Sequence, residues 1–337
     1  MFKSIKYPLL LLIAIILFAW AYYAYQVTSS VSNSSEVASF EIKSGQGVNQ
    51  ISTNLYAQGL IKSMFWFEVY VWQKNLERNF IAGVHDLPLN LSIREITARL
   101  TNPGESETTI TVIEGWNNRE IAGYLAEKDL VEEPEFLNLV SANLSQFVNL
   151  YDFLADKPDG ADLEGYLFPD TYRVFKNSSA AEIARKMLDN FEAKLTPKMR
   201  LDIKSQGWSV FEIVTLASII EKEVRTPEDM KTVSGIFRKR LEANIALQSD
   251  ATVNYVTGKS RIQPTADDLQ VDSPYNTYKY RGLPPSPISN PGLNAINAAI
   301  YPEDNPYYYF LTTKETGEVI YSRTYDEHLQ NKAKYLD

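Results

Sequence analysis

The sequence predicts an α+β protein in three parts: an N-terminal transmembrane helix, a small α/β module and a larger mixed α+β domain. Three observations lead there. Tyr7 to Val27 is uncharged, and about 20 such residues cross a bilayer as a helix. A short alternating strand, a glycine turn and an amphipathic helical stretch then occur twice. The rest alternates long helical runs with irregular loops rich in proline and tyrosine. The 337 residues are about twice a typical single domain. With 45% apolar and 22% charged residues the chain is neither disordered, collagenous nor a coiled coil.

Residues 1–6 read as a cytoplasmic tail, because Lys3 and Lys6 are the only charges before Glu36 and basic residues stay inside. Residues 7–27 form the expected span, with Trp20, Tyr22, Tyr23 and Tyr25 as an aromatic belt at its outer end. A cleaved signal peptide is the competing reading, with Leu9 to Phe18 as its apolar core and Ala19-Trp20-Ala21 imitating a cleavage site. The tyrosine-rich flank continues past that cut, which favours a retained anchor; either way the remainder is exported. Residues 28–39 (TSSVSNSSEVAS) are polar, lack periodicity and read as a flexible linker.

The small module covers residues 40–104. Phe40 to Gly45 aligns with Ile110 to Gly115, and at the same offset Ile51 falls on Ile121, Leu55 on Leu125, Leu60 on Leu130, Ile61 on Val131 and Trp66 on Phe136. Duplication and the generic recurrence of strand-turn-helix units both account for this. A second aromatic helix follows from Met64 to Asn75, then Ala82-Gly83-Val84-His85. A last helix, opened by the capping-box pair Ser92 and Glu95, runs to about Leu100. Thr101-Asn102-Pro103-Gly104 ends it, so the second domain is set at residues 105–337.

Composition narrows the chemistry. There are no cysteines, which excludes disulfides, thiolate zinc sites and a cysteine nucleophile, and only two histidines, His85 and His328. No metal and no organic cofactor is implied, since no Cys/His cluster or phosphate-binding glycine loop is present. The net charge of -9 argues against nucleic acid, and most of all beyond Lys3 and Lys6; an uncharged or sugar-like substrate suits it better.

Helices at Ala180–Leu195 and Pro197–Ser205 precede the most unusual segment. Ser209 and Glu212 form another capping box, and the run from Ile213 to Ile220 is apolar around most of a helix before ending in Glu221-Lys222-Glu223. Glu223 lies three, four and seven residues after Ile220, Ile219 and Leu216, above the apolar stripe. Apolar surroundings favour the neutral carboxyl and raise its pKa, as a general acid needs. Glu221 points elsewhere, nearer Val214 and Ala217. The plainer reading makes both glutamates the solvated end of a core helix. Downstream, Leu247 to Thr252 and Ser273 to Tyr278 gather polar groups, and Gly282 to Gly292 is a rigid proline-rich loop with tyrosines around it. Arg225, Lys231, Arg238, Lys239 and Arg240 read either as a solvated helix face or as contacts to substrate carboxylates. His328 falls in a helical stretch from Tyr325 to Tyr335 and is given no chemistry.

These blocks resemble the YceG-like family of endolytic murein transglycosylases. The resemblance rests on Glu164-Gly165-Tyr166-Leu167-Phe168-Pro169-Asp170-Thr171-Tyr172, on Leu216 to Glu223, on Leu247-Gln248-Ser249-Asp250 with Thr252 and Tyr255, on Tyr275-Asn276-Thr277-Tyr278, and on Gly282-Leu283-Pro284-Pro285 with Ile288, Pro291 and Gly292. It implies a LysM-like module at residues 40–104, although His85 stands where the family commonly has tyrosine. It also implies a lyase that cuts peptidoglycan glycan strands internally between N-acetylmuramic acid and N-acetylglucosamine, leaves 1,6-anhydro ends and so limits strand length. Glu223 would be the catalytic residue, Gln248, Asp250, Tyr255, Asn276, Thr277 and Tyr278 would meet or position the sugar, and Glu221, Glu164 and Asp170 would support them. Membrane peptidoglycan synthases become expected partners, and the bacterial cell membrane, with the N-terminus cytoplasmic, the expected location. Two alternatives stay open: a hydrolase with Glu223 as acid and Asp250 as base or nucleophile, and a non-catalytic wall-binding protein.

Overall fold

The computed structural model describes residues 6–32, 34, 36–101, 107–142, 144–176, 178–259, 264–313 and 316–336, without the side chains of residues 6–13, 86, 107, 145–146 and 175. Helix α1 runs from Lys6 to Thr28. Among the described residues no helix is long and apolar enough to cross a membrane. Most of the expected tail, residues 1–5, and the first side chains of the expected span, residues 7–13, lie outside the description. The chain divides into two compact units, one of residues 1–109 with 173–178, the other of residues 110–172 with 179–337. The division falls after Thr109, a few residues beyond the expected boundary, most of whose Thr101–Gly104 break lies outside the described residues.

In the first unit, β1 (Val37–Ile42), α2 (Val48–Ala57), α3 (Met64–Gln73), β2 (Gly83–Pro88) and α4 (Ile93–Thr101) follow α1. β1 and β2 pair antiparallel with Phe40 opposite His85. Alternation along β1 buries Phe40 and Ile42, and helical spacing along α2 buries Ile51 and Leu55. They share a core with Phe67, Val71, Leu87, Ile96 and Leu100. The capping box opening α4 forms, with the Glu95 carboxylate accepting from Ser92 N and Oγ at 2.8 Å each. His85 is buried and bonded to the Ile81 carbonyl at 2.8 Å, a local structural contact. The stretch expected as a linker is partly structured: α1 continues through Thr28, Val27 enters the core, Ser29 and Ser30 are buried, and β1 starts at Val37. Burial of Val27 outweighs the polar composition that follows it.

The strands β3 (Glu107–Thr111) and β4 (Thr171–Phe175) pair with each other and each has residues in both ranges, and the second unit holds α5 (Asn118–Glu127), α6 (Glu133–Ala142) and α7 (Ser145–Val148). There follow α8 (Ala180–Lys194), α9 (Pro197–Ser205), α10 (Val210–Glu223), α11 (Pro227–Glu242), α12 (Asp250–Thr257) and α13 (Leu293–Ile300). The hairpin β5 (Tyr309–Thr312) and β6 (Val319–Ser322) and the helix α14 (Tyr325–Tyr335) end the chain. The centre is α10. Its capping box forms as expected, and Phe211 with every residue from Ile213 to Ile220 is buried against α9, α11, α12 and α13. Each such Ile or Leu contributes about 1.5–3 kcal/mol, enough to hold a charged C-terminal end in place.

Candidate active site

Glu223 is the last residue of α10, half-buried, where the apolar stripe meets the start of α12. Its carboxylate accepts hydrogen bonds from the Ser249 hydroxyl and the Ala251 backbone N–H. Burial pushes its pKa up to about 7, and the neighbouring Asp250 charge adds to the rise. The two hydrogen bonds, reinforced by the amino-terminal dipole of α12, pull the other way without cancelling it. A carboxyl so poised can give a proton and take one back near neutrality.

The loop before α12 is held from below. Gln248 takes a left-handed backbone with φ 56°, and its side chain accepts from Arg240 Nη2 at 2.9 Å while Arg240 Nη1 donates to the Leu247 carbonyl at 3.2 Å. Ser249 N donates to Thr277 Oγ1 at 3.0 Å, and the Thr277 and Thr252 hydroxyls share a bond of 2.9 Å. Tyr278 donates to Asp250 Oδ1 at 2.5 Å. Lys332 of α14 acts on the same carboxyl: burial raises the Asp250 pKa, and the Tyr278 bond and the Lys332 charge oppose that rise. Asn276 is fully engaged within its own loop, its amide donating to Leu269 and Val271 carbonyls at 3.0 and 2.9 Å and its oxygen accepting from Tyr278 N at 3.0 Å.

The opposite flank of α10 meets the proline-rich loop. Ser218 Oγ accepts from Ile288 N at 3.0 Å, its carbonyl accepts from Ser289 Oγ at 3.0 Å, and Glu221 accepts from Gly292 N at 2.9 Å. Burial, with a smaller push from Glu114, takes Glu221 to about 6. Asn290 ties this loop to the turn after β3: its backbone N donates to the Trp116 carbonyl at 2.8 Å, and its amide reaches Glu164 at 3.1 Å and accepts from Leu167 N at 2.9 Å. Glu164 is buried, accepts from Asn118 N, and is driven well above the ordinary carboxylate range by burial. Gly165, at φ +90°, lies so close to Val214 and Pro287 that an added Cβ would come within 2.6 and 2.7 Å of them.

Of the residues singled out from sequence, Glu223, Asp250, Tyr278, Gln248, Thr277 and Asn276 thus share one hydrogen-bonded assembly. Tyr255 sits farther along α12, its ring 5.2 Å from that of Tyr275. Glu164 and Glu221 belong to the other flank, and Asp170 lies at the surface, accepting from Asn190 Nδ2 at 2.9 Å, which lowers its pKa. The Gly282–Gly292 loop meets α10 at Ser218 and Glu221 rather than at Glu223. Three of the basic residues after α10 neither face solvent freely nor await a ligand: Arg238 stacks 4.5 Å over Trp208 and donates to the Ala299 carbonyl at 2.6 Å, Lys239 donates to the Tyr307 carbonyl at 2.5 Å, and Arg240 is buried. His328 packs on Tyr309 with ring centroids 5.4 Å apart, and Arg240 lies over that tyrosine ring at 5.1 Å. Sequence reasoning missed the roles of Ser249, Ser218, Asn290 and Lys332, although the first three stand in blocks already singled out.

A glutamate carboxyl poised near neutrality at the end of a buried helix, beside the Ser249 hydroxyl and Tyr278, has the features that acid–base chemistry needs. The YceG-like family profile matches residues 40–334, and the chain belongs to that family. It is 32% identical to an endolytic murein transglycosylase of Bacillus subtilis over 90% of this chain and 86% of the relative. It is 31% identical to an endolytic murein transglycosylase of Streptococcus pneumoniae over 96% of this chain; the match spans 63% of that longer relative. A crystal structure of a YceG-like protein from Listeria monocytogenes, 33% identical, superposes with a TM-score of 0.61 over 89% of this chain and 100% of the other.

Proposed function

We propose that this chain is an endolytic murein transglycosylase, a lyase that cuts peptidoglycan glycan strands with Glu223 as acid and then base. The observation that carries the reading is the Glu223 carboxyl, held by Ser249 and Ala251 and pushed up to about 7 by burial. In its neutral form it protonates the glycosidic oxygen leaving C1 of N-acetylmuramic acid. As that bond breaks, the sugar's C6 oxygen closes on C1, and its proton passes to the Glu223 carboxylate. The product is a 1,6-anhydro end and the carboxyl is restored. Asp250, already bonded to Tyr278, serves in this reading to set the charge beside Glu223. Ser249, Thr277, Gln248 and Asn276 position the loop that carries the Glu223 partners, and Tyr278 and Tyr255 offer faces to sugar rings.

The same reading makes residues 7–27 a single membrane span, with the N-terminus cytoplasmic and both compact units exported, beside membrane peptidoglycan synthases. The strand–helix–helix–strand order of β1, α2, α3 and β2 supports a LysM-like role for the first unit. The test is mass spectrometry of peptidoglycan glycan digested by the purified chain. Anhydro-muramic ends, absent with Glu223→Gln, are the expected result; reducing ends would assign Asp250 the role of base or nucleophile in a hydrolase, and no cleavage at all would leave a wall-binding protein.

A further inference from the structure

The loop between α11 and α12 turns on one uncommon residue. Gln248 has φ 56°, a left-handed backbone that a side chain other than glycine keeps only when its neighbours hold it there. The next residue, Ser249, gives its hydroxyl to Glu223, and the Ala251 N–H reaches the same carboxylate. Reversing φ at Gln248 would swing both donors away together, because both lie just beyond the turn. Thr277 grips the turn from one side, its carbonyl accepting from Gln248 N at 3.1 Å and its hydroxyl from Ser249 N at 3.0 Å. The other grip is Arg240.

Arg240 is only 6% exposed, yet among the described residues no carboxylate pairs with it. Its partners are neutral: Nη1 donates to the Leu247 carbonyl at 3.2 Å, Nη2 donates to Gln248 Oε1 at 2.9 Å, and the Tyr309 ring lies 5.1 Å from the guanidinium carbon. Two nitrogens of one rigid plane thus fix the peptide before the turn and the side chain at the turn. A lysine ammonium has no such fork. The plane is set in turn by the C-terminal elements, since His328 of α14 stacks on Tyr309 of β5 with ring centroids 5.4 Å apart and 24° between planes. A buried cation without an opposite charge is a poor source of stability. What this one supplies is the geometry of the turn.

We propose that Arg240 is a positioning residue for the cleavage reaction: its guanidinium locks Gln248 in the left-handed turn that aims the Ser249 hydroxyl and the Ala251 N–H at Glu223. The proposal rests on the reading of Glu223 as the acid. Asp250 of α12, Tyr278, and His328 and Lys332 of α14 share these surroundings, and the variants used leave all four in place. The test is an NMR titration of the Glu223 carboxyl carbon in the full-length chain, assigned by its loss in Glu223→Gln, beside the pH–rate profile for glycan cleavage. Arg240→Lys keeps the charge and loses the fork, which releases the two bonds to the carboxylate. The Glu223 titration and the alkaline limb of the rate should then both move up by about one pH unit. At the same time kcat should fall about tenfold with KM within about twofold, since Arg240 does not touch substrate. Adding Gln248→Gly should return both readouts toward the parent, because glycine takes a positive φ unaided. A side chain that only fills the core would show no such rescue. Gln248→Met, at an exposed position, should move the titration the same way by a smaller amount and keeps a folded variant in the series. A parent-like Glu223 titration in Arg240→Lys or in Gln248→Met, or a shift that Gln248→Gly does not reverse, overturns the proposal. Absence of anhydro ends from the parent digest would instead overturn the transglycosylase reading, and the carboxyl titration is read independently of it.

Discussion

The segments β1 to β2 and β3 to β4 both open with a strand, a glycine turn and two helices, the second adding α7 before its closing strand, and they have different surroundings. Both first turns carry a glycine in the left-handed region, Gly45 at φ 80° and Gly115 at φ 81°. Both first helices close with the same backbone bond, Leu60 N to Leu55 O at 2.9 Å and Leu130 N to Leu125 O at 3.1 Å. Around Gly45 a built Cβ would meet nothing within 4 Å, and the turn borders a polar groove of about 580 Å³ lined by Lys43, Gln46 and Asn49. Around Gly115 the space is taken. Its N–H donates to the Asn290 carbonyl at 2.9 Å, its carbonyl accepts from Lys222 Nζ at 3.1 Å, and a Cβ would lie 3.4 Å from Glu221 Cγ. One unit keeps its turn open to solvent. In the other, the same turn braces the end of the helix that carries Glu223.

That contrast can be broken or sharpened by experiment. The largest effect is expected at the braced helix: Glu223→Gln should cut glycan cleavage by about 10²–10⁴, with the circular dichroism spectrum unchanged. At the open turn, Gln46→Ala or Asn49→Ala should leave the turnover rate alone and alter only retention on insoluble glycan, read by a pull-down. Next in size is Gly165→Ala, whose Cβ would press within 2.6 Å of Val214 on α10. Overpacking of this kind costs about 1–3 kcal/mol, and the left-handed backbone adds to it, so the melting temperature should drop by several degrees.

The glycine pair itself gives a finer test. Gly45→Ala and Gly115→Ala should each lose about 1–2 kcal/mol from backbone strain, but only the second should also slow cleavage, because strain in that turn reaches the bond from Lys222 to the Gly115 carbonyl. Chemical denaturation alongside a rate assay separates the two losses.

The pH dependence is expected to follow Glu223. Because the acid form starts the reaction, the rate should fall as pH rises through about 7. Ser249→Ala removes a bond that stabilises the carboxylate, so it should move that limb to higher pH; Asp250→Asn removes the repelling charge and should move it lower. Stability carries the same sign. The folded pKa lies above the usual carboxylate value, so the contribution is full below about pH 4.5 and is lost as pH climbs through 7. Glu223→Gln lacks that loss, and its melting advantage over the parent should grow from pH 5 to pH 8. The smallest expected change is Glu221→Gln, which should keep measurable activity because its Gly292 bond can be replaced by an amide oxygen.

What could be read without a structure was local. The helix over Tyr325–Tyr335 was legible to the residue, and Ala180–Lys194 and Val210–Glu223 nearly so, because their apolar periodicity and caps lie within a turn or two of each other. The capping boxes at Ser92 and Ser209 join residues three apart and form as written. The position of Glu223 above an apolar stripe was legible for the same reason, while the closeness of the Gln248, Asp250, Asn276 and Tyr278 blocks came from resemblance rather than spacing. Tertiary structure alone decided the rest. Asn290 looks like any polar residue in a proline-rich loop, yet its bonds reach Leu167 and Trp116, 123 and 174 residues away. Arg238, Lys239 and Arg240 read as a charged face, yet they bond inward because other segments bring carbonyls and aromatic rings over them. Periodicity and capping are determined by sequence neighbours, whereas the partner of a buried polar group depends on which distant surfaces the hydrophobic packing of α10 brings together.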